Sequence, residues 1–92
     1  MNIEQTSLRN TVHLRMRCND WESVRSTVRM PLDSDAEEQH ETLGCIMNFP
    51  ALTTGQWEFL RPELDRLGIV YDYLDHSRDD AQWVVRMTEQ RH

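Results

Sequence analysis

The sequence predicts a small α+β protein in which one main α-helix covers one face of an antiparallel sheet of about five strands. Residues 11–18 alternate between apolar and polar side chains, as a half-buried strand does. Residues 56–67 carry large apolar side chains at helical spacing, and apolar segments bounded by turn residues lie on both sides of them. Ninety-two residues leave room for one core, so we expect a single domain with loosely ordered arms at residues 1–10 and 88–92.

The predicted order of elements is β-β-β-α-β-β, and its second strand is ambiguous. The first strand has one apolar face, made of Val12, Leu14, Met16 and Cys18. Residues 24–30 also alternate and are rich in β-branched side chains, which favours a second strand that Pro31 ends. The alternative is a helix over residues 20–30, because apolar side chains there also recur at steps of three and four residues. That alternative would give a ferredoxin-like fold.

An acidic stretch, residues 32–39, separates this region from the next predicted strand. A solvated loop is favoured there over a single helical turn, although Ser34 and Glu37 have the spacing of a capping box. Residues 41–49 alternate again and predict a strand. Pro50 is expected to end it, because proline cannot donate a hydrogen bond to a neighbouring strand.

The main helix is predicted over residues 56–67. Its apolar face repeats at steps of three, four and three residues, at Trp57, Leu60, Leu64 and Leu67. Thr53 or Thr54 is expected to cap the helix, and Thr53 with Gln56 has the spacing of a capping box. Gly68 is expected to end the helix. Pro62 predicts a kink or a break, because it removes a hydrogen bond and collides with the preceding turn.

The last two predicted strands form a hairpin. Residues 69–76 pair with residues 81–87 if the connecting loop is residues 78–80. In that register Asp72 and Arg86 face one another as an ion pair, and a slip of one residue would separate them.

The two cysteines do not resemble a disulfide framework. Cys18 and Cys45 fall in apolar strand positions, which predicts buried free thiols and a reducing, cytoplasmic location. No run reaches the ~18 apolar residues that a membrane helix requires, and the N-terminus has no apolar secretion segment.

The sequence contains no motif that predicts catalysis, a cofactor or a metal. The three glycines are isolated, and the histidines lack a recurrent ligand spacing. His40 and Glu41 are interpreted as part of a solvated acidic turn. Asp75 and His76 could form an acid–base pair, but adjacent strand residues point to opposite faces of a sheet.

Charge provides the only candidate site. The net charge is −6, and residues 34–80 hold eleven acidic side chains against three arginines. We expect two acidic segments to contribute to a surface that binds a basic protein partner. Its candidate residues are Glu37, Glu38, Asp75, Asp79 and Asp80.

A second candidate face consists of arginines predicted to lie on the uncovered side of the sheet. These are Arg15, Arg17, Arg25 and Arg29. No aromatic side chain accompanies them on these two strands, and the net negative charge opposes non-specific binding to nucleic acid. The arginines are therefore a secondary candidate for binding protein, and no direct contact with nucleic acid is expected.

Two classes of function remain. The favoured one is a small non-enzymatic protein that docks on a larger partner. It could act as an inhibitor of the kind encoded by phages or mobile elements, blocking a basic nucleic-acid-binding surface; this is an analogy from size and charge. The alternative is a small-ligand-binding or enzymatic domain acting as a dimer. A flat acidic surface would favour the first class, and a concave site with a perturbed titrating group would favour the second.

Overall fold

Two helices and four strands make up the fold. The computed structural model describes residues 11–28, 36–42 and 44–88. In chain order the elements are β1 (Thr11–Arg17), α1 (Cys18–Thr27), β2 (Glu37–Glu41), β3 (Gly44–Thr53), α2 (Thr54–Arg66) and β4 (Tyr71–Asp75). The strands form one sheet in the order β2-β3-β1-β4, and every neighbouring pair is antiparallel. The arms predicted at residues 1–10 and 88–92 lie outside the described residues, apart from Thr88.

The order β-α-β-β-α-β with this sheet arrangement is the ferredoxin-like topology. The α+β class is confirmed, whereas the five strands and single main helix are wrong in detail. The ambiguous segment forms the helix α1 as far as Thr27, because Trp21 and Val24 are both buried on the helix face that meets the sheet, and its residues 29 and 30 lie outside the described residues. Burial of a large aromatic side chain outweighs the weak β-propensity of the segment.

From Glu37 onward the acidic stretch is an edge strand and not a solvated loop, while its residues 32–35 lie outside the described residues. All five residues of β2 are exposed, yet their backbone pairs with β3 from Glu37 opposite Asn48 to Glu41 opposite Gly44. Pairing of this kind uses backbone groups and needs no apolar side chains, so the hydrophobic pattern did not show it. Gly44 follows the tight connection with φ of 105°, a conformation that favours glycine.

Pro50 does not end its strand, since β3 continues to Thr53. The register with β1 shifts by one between Val12, which faces Leu52, and Leu14, which faces Phe49. Proline is tolerated in a sheet at such an irregularity, because the ladder there does not need its missing N–H.

The predicted cap and glycine stop of the main helix are confirmed, although the helix runs from Thr54 to Arg66 and so begins two residues before the predicted start. Thr53 and Gln56 form a reciprocal capping box: the Gln56 N–H donates to the Thr53 hydroxyl at 3.0 Å and the Thr53 N–H donates to the Gln56 carboxamide at 2.9 Å. Gly68, with φ of 73°, ends the helix in a Schellman motif, in which the N–H of Ile69 donates to the carbonyl of Leu64. The helix continues through Pro62 without a break.

The main core lies between the sheet and the two helices. As predicted, the main helix covers one face of the sheet, since Trp57, Leu60 and Leu64 share one buried cluster with Leu14 and Met16 of β1. The helix α1 contributes its own apolar face to the same cluster. A fold with two helices on one sheet face therefore encloses more apolar surface than the single predicted helix could cover.

The predicted fifth strand is reduced to a single bridge. Tyr73 and Val84 exchange two backbone hydrogen bonds, of 3.1 and 2.8 Å. The predicted register would have placed Tyr73 opposite Val85, so the observed pairing is slipped by one residue. The predicted ion pair of Asp72 with Arg86 is consequently wrong, and the Arg86 guanidinium lies 5.4 Å from the centre of the Tyr71 ring.

Asp72 forms hydrogen bonds with backbone N–H groups and not the predicted ion pair with the Arg86 guanidinium. Its carboxylate is buried and accepts the backbone N–H groups of Arg86 at 2.8 Å and Met87 at 3.0 Å. Met87 is fully buried but lies outside the helix-side core. The register of β1 with β4 puts Asp72 opposite Arg15, on the sheet face away from the helices. Asp72 therefore holds the segment after Val84 against that second face.

We predict that Asp72→Ala lowers the free energy of unfolding by about 2–3 kcal/mol, because two N–H groups lose a charged acceptor. Amide hydrogen exchange at residues 86 and 87 should accelerate more than exchange in β1. Asp72→Asn is the matched control, since it keeps one acceptor oxygen and should cost less. Unchanged protection of both amides in the alanine variant would refute this role.

The prediction of free thiols is wrong. Cys18, the first residue of α1, and Cys45, the second residue of β3, form a disulfide across a sequence separation of 27, and no described cysteine is free. The register explains the pairing. Arg17 faces Ile46 in the antiparallel pair, so Cys18, which follows Arg17, lies beside Cys45, which precedes Ile46. The cytoplasmic location, which rested partly on free thiols, remains a prediction.

Candidate functional site

The five predicted acidic residues lie at two opposite edges of the sheet. Glu37 and Glu38 are on β2, while Asp75, Asp79 and Asp80 are at the end of β4 and in the turn after it. The order β2-β3-β1-β4 puts three strand spacings between these edges, roughly 14 Å. The two acidic segments are therefore not gathered into one cluster.

The acids of β2 have a structural explanation. An edge strand with exposed backbone groups can pair with another chain, and charged side chains suppress that association. Glu37 and Glu38 are exposed, and the Glu38 carboxylate lies 3.3 Å from His40 Nε2. Their charge protects this edge of the sheet whether or not a partner binds there.

The acids after β4 are arranged differently. One carboxylate oxygen of Asp75 accepts the backbone N–H and the hydroxyl of Ser77, at 3.0 and 2.6 Å, which shapes the turn. Asp79 and Asp80 are exposed, and Asp80 lies 3.4 Å from the Arg78 guanidinium. This edge keeps acidic side chains accessible in a turn that the Asp75 hydrogen bonds shape.

A groove of about 380 Å³ lies between α2 and the end of β4. It is lined by Trp57, Glu58, Arg61, Pro62, Asp65 and Asp75. Three carboxylates and one guanidinium give this lining a formal charge of −2. A neighbouring concavity of about 220 Å³ shares Asp75 and adds Arg78 and Asp80. The acidic lining thus continues from the helix across Asp75 into the turn.

Arg61 is the one cation of the groove, and aromatic rings hold it in place. Its guanidinium lies 5.1 Å from the centre of the Tyr73 ring and 5.7 Å from that of Trp57. Such cation–π contacts restrict the orientation of the guanidinium. The groove therefore presents mainly carboxylates, since Trp57 is 4% exposed and Arg61 lies over its ring.

Tyr71 lies below this groove and is fully buried. Burial raises the pKa of its phenol, and the hydrogen bond that the phenol donates to Asp65 at 2.8 Å raises it further. The phenol is consequently protonated at neutral pH and acts as a donor to Asp65. This contact fixes one groove carboxylate in position.

Sequence reasoning found Asp75, Asp79 and Asp80 but missed the helix wall of the groove. Positions 58, 61, 62 and 65 recur at steps of three, one and three residues, next to the apolar stripe of α2. That spacing puts them on one helix face, and it was available in the sequence. Which strand this face would adjoin was not available, because it depends on the order of strands in the sheet.

The arginine face is only partly as predicted. Arg15 and Arg17 do lie on the sheet face away from the helices, but Arg15 forms an ion pair with Glu41 and Arg17 donates to the Met87 carbonyl at 3.4 Å. Arg25 is in the last turn of α1, 3.6 Å from Glu22, and not on the sheet. Arg29 lies outside the described residues. The predicted set does not form one basic surface.

Comparison with known proteins adds no assignment, since the chain matches no protein-family model, no curated protein and no solved structure. Among the described residues, neither helix has the length and apolar character needed to cross a membrane.

Proposed function

We propose that this protein is a non-enzymatic interaction module that binds a basic segment of a larger protein through the acidic groove between α2 and β4. The observation that carries the proposal is the groove lining, in which three carboxylates are opposed by only one guanidinium. A lysine or arginine side chain of a partner would find carboxylates of opposite charge in the groove and would form charge-assisted hydrogen bonds with them.

The charge of Asp79 and Asp80 extends the same preference beyond the groove. Both are exposed in the turn that adjoins it, where they would attract a basic surface before contact and raise the rate of association. Glu37 and Glu38, at the opposite edge, would act at most as a second contact. If the bound surface is one that holds nucleic acid, occupation by this protein would inhibit its partner, which is the phage-type role suggested by size and charge.

The alternative of a small-ligand or enzymatic domain is favoured by one observation, namely that the groove is concave and adjoins a phenol with a raised pKa. That phenol, however, is fully buried and donates to Asp65, so its protonation serves the packing of the groove wall. We therefore place protein binding first.

A basic peptide titration tests the proposal. The probe is a short arginine- and lysine-rich peptide added to ¹⁵N-labelled protein, and the three indole N–H signals of Trp21, Trp57 and Trp83 are separate reporters. We expect the Trp57 signal to shift, because only that ring lines the groove. Affinity should fall as ionic strength rises through about 0.15 M, where the screening length is about 8 Å.

Matched variants locate the contact. Glu58→Gln with Asp80→Asn should weaken peptide binding, whereas Glu37→Gln with Glu38→Gln removes the same charge at the other edge and should leave it nearly unchanged. Binding that is indifferent to salt, or that shifts Trp83 and not Trp57, would contradict the proposal. An equal loss in both variant pairs would show that net charge alone, and not the groove, governs binding.

A further inference from the structure

A second cluster of chemically reactive side chains lies at the other edge of the sheet. Cys18, Cys45 and Glu38 place their sulfur and carboxylate atoms within 4.8 Å of one another. They come from three different elements: the start of α1, the second residue of β3, and β2. No interaction described for the groove between α2 and β4 involves any of them.

His40 adds a fourth donor to this cluster. It faces Cys45 directly in the pairing of β2 with β3, and it lies two residues from Glu38 on the same strand face. Its Nε2 is 3.3 Å from a Glu38 carboxylate oxygen. Both side chains are exposed, so they can turn toward a common point at little cost.

Two thiolates, one imidazole and one carboxylate form a donor set suited to Zn²⁺. Zinc prefers four such ligands in a tetrahedron, with bonds of about 2.0–2.3 Å, so the donors around it stand roughly 3.3–3.8 Å apart. In the reduced chain, small side-chain rotations would bring the donors of Cys18, Cys45 and Glu38, which lie within 4.8 Å of one another, to those separations. The exposed His40 ring, which lies outside that 4.8 Å group, would have to turn toward them to complete the set. Bonded sulfurs carry no thiolate, so the disulfide and a metal ion exclude one another.

We propose that reduction of the Cys18–Cys45 disulfide creates a Zn²⁺ site whose ligands are Cys18, Cys45, Glu38 and His40. A dithiol supplies two electrons and two protons, becoming a disulfide while the protein gains two thiols. Zinc then displaces a proton from each thiol and binds both thiolates. The ion replaces one covalent tie between α1 and β3 with coordination that also holds β2.

The position of Cys18 at the start of a helix favours its role as a metal ligand. Cys18 is the first residue of α1, where the partial positive charge of the helix end favours a thiolate. Glu38 and His40 are on the edge strand β2, which pairs only with β3 in the sheet. Metal binding by these two side chains would therefore restrain an edge strand. The proposal does not rest on the acidic groove, because the groove lies at the opposite sheet edge and is lined by none of these four residues.

The test uses untagged protein reduced with a phosphine, which becomes a phosphine oxide, under anaerobic conditions. Co²⁺ is the spectroscopic probe, and Zn²⁺ displaces it. We expect one metal ion per reduced chain, with the thiolate-to-cobalt and visible bands of a tetrahedral site, and no such bands for the oxidised chain. Hydrogen exchange in β2 should slow when Zn²⁺ is added to the reduced protein.

Variants assign the ligands. Glu38→Gln and His40→Gln should each weaken binding by at least about tenfold, the lower end of the loss seen when even an outer-shell partner is removed. Glu37→Gln and His76→Gln are matched controls outside the cluster and should bind as the wild type does. The proposal is wrong if the reduced wild-type chain binds no Co²⁺. It is equally wrong if oxidised protein gives the same spectrum, or if neither ligand variant weakens binding.

Discussion

Trp57→Ala is expected to lower the free energy of unfolding by about 3–5 kcal/mol, the range for removing a buried aromatic side chain from a core. Trp57 is 4% exposed and belongs to the cluster that joins α2 to the sheet. Its ring centre lies 5.0 Å from that of Tyr73 and 5.6 Å from that of Tyr71, so the substitution also removes aromatic contacts. Small proteins are stable by only about 5–15 kcal/mol, so this loss would leave the domain marginally folded.

Chemical denaturation followed by circular dichroism measures this effect. Phe59→Ala is the matched control, because Phe59 is on the same helix but is 53% exposed and should cost less than about 1 kcal/mol. Both variants remove one aromatic ring from α2, which separates loss of packing from loss of helix propensity. Equal stabilities for the two variants would show that Trp57 does not anchor the helix.

Replacing both Cys18 and Cys45 by alanine is also expected to lower the free energy of unfolding by a large amount. The disulfide closes a loop with a sequence separation of 27, for which the chain-entropy relation predicts a contribution of about 3.5 kcal/mol. In a domain of this size such a loss lowers the melting temperature by roughly 15–25 °C. The bond restrains the unfolded chain, so we expect the folded variant to keep the same sheet.

Calorimetry in the presence of a metal chelator measures this second effect without interference from bound ions. The oxidised wild type is the reference, and the wild type reduced under the same conditions should melt close to the double variant. A double variant that melts within a few degrees of the oxidised protein would mean that the disulfide adds no stability.

Several features could be predicted from the sequence because they depend on short stretches of chain. The alternation of β1, the capping box of Thr53 and Gln56, and the glycine stop at Gly68 are all present as predicted. Each is decided by neighbours within a few residues: a side chain reaches its own backbone, or a backbone conformation favours one residue type. Features that depend only on near neighbours can therefore be predicted from the order of residue types in the sequence.

The candidate site was only partly predictable, because it joins residues that are distant in the sequence. Asp75 and the turn after it were found from the density of acidic residues. Glu58 and Asp65 were not, because they join Asp75 only through the packing of α2 beside β4. The cluster of Cys18, Cys45 and Glu38 was missed likewise, since its members are distant in sequence and meet only in the sheet.

The sequence by itself determined the α+β class, the first strand, and the position and ends of the main helix, since these follow from local periodicity and capping. The tertiary structure decided the rest. Residues 24–30 could alternate as a strand, or residues 20–30 could present a helical face, and burial of Trp21 against the sheet favoured the helix Cys18–Thr27. β2 formed through backbone pairing that leaves no apolar pattern. The one-residue slip of the last segment depends on Asp72, whose carboxylate accepts the backbone N–H groups of Arg86 and Met87. These partners lie 14 and 15 positions further along the chain, so no local pattern shows the contact.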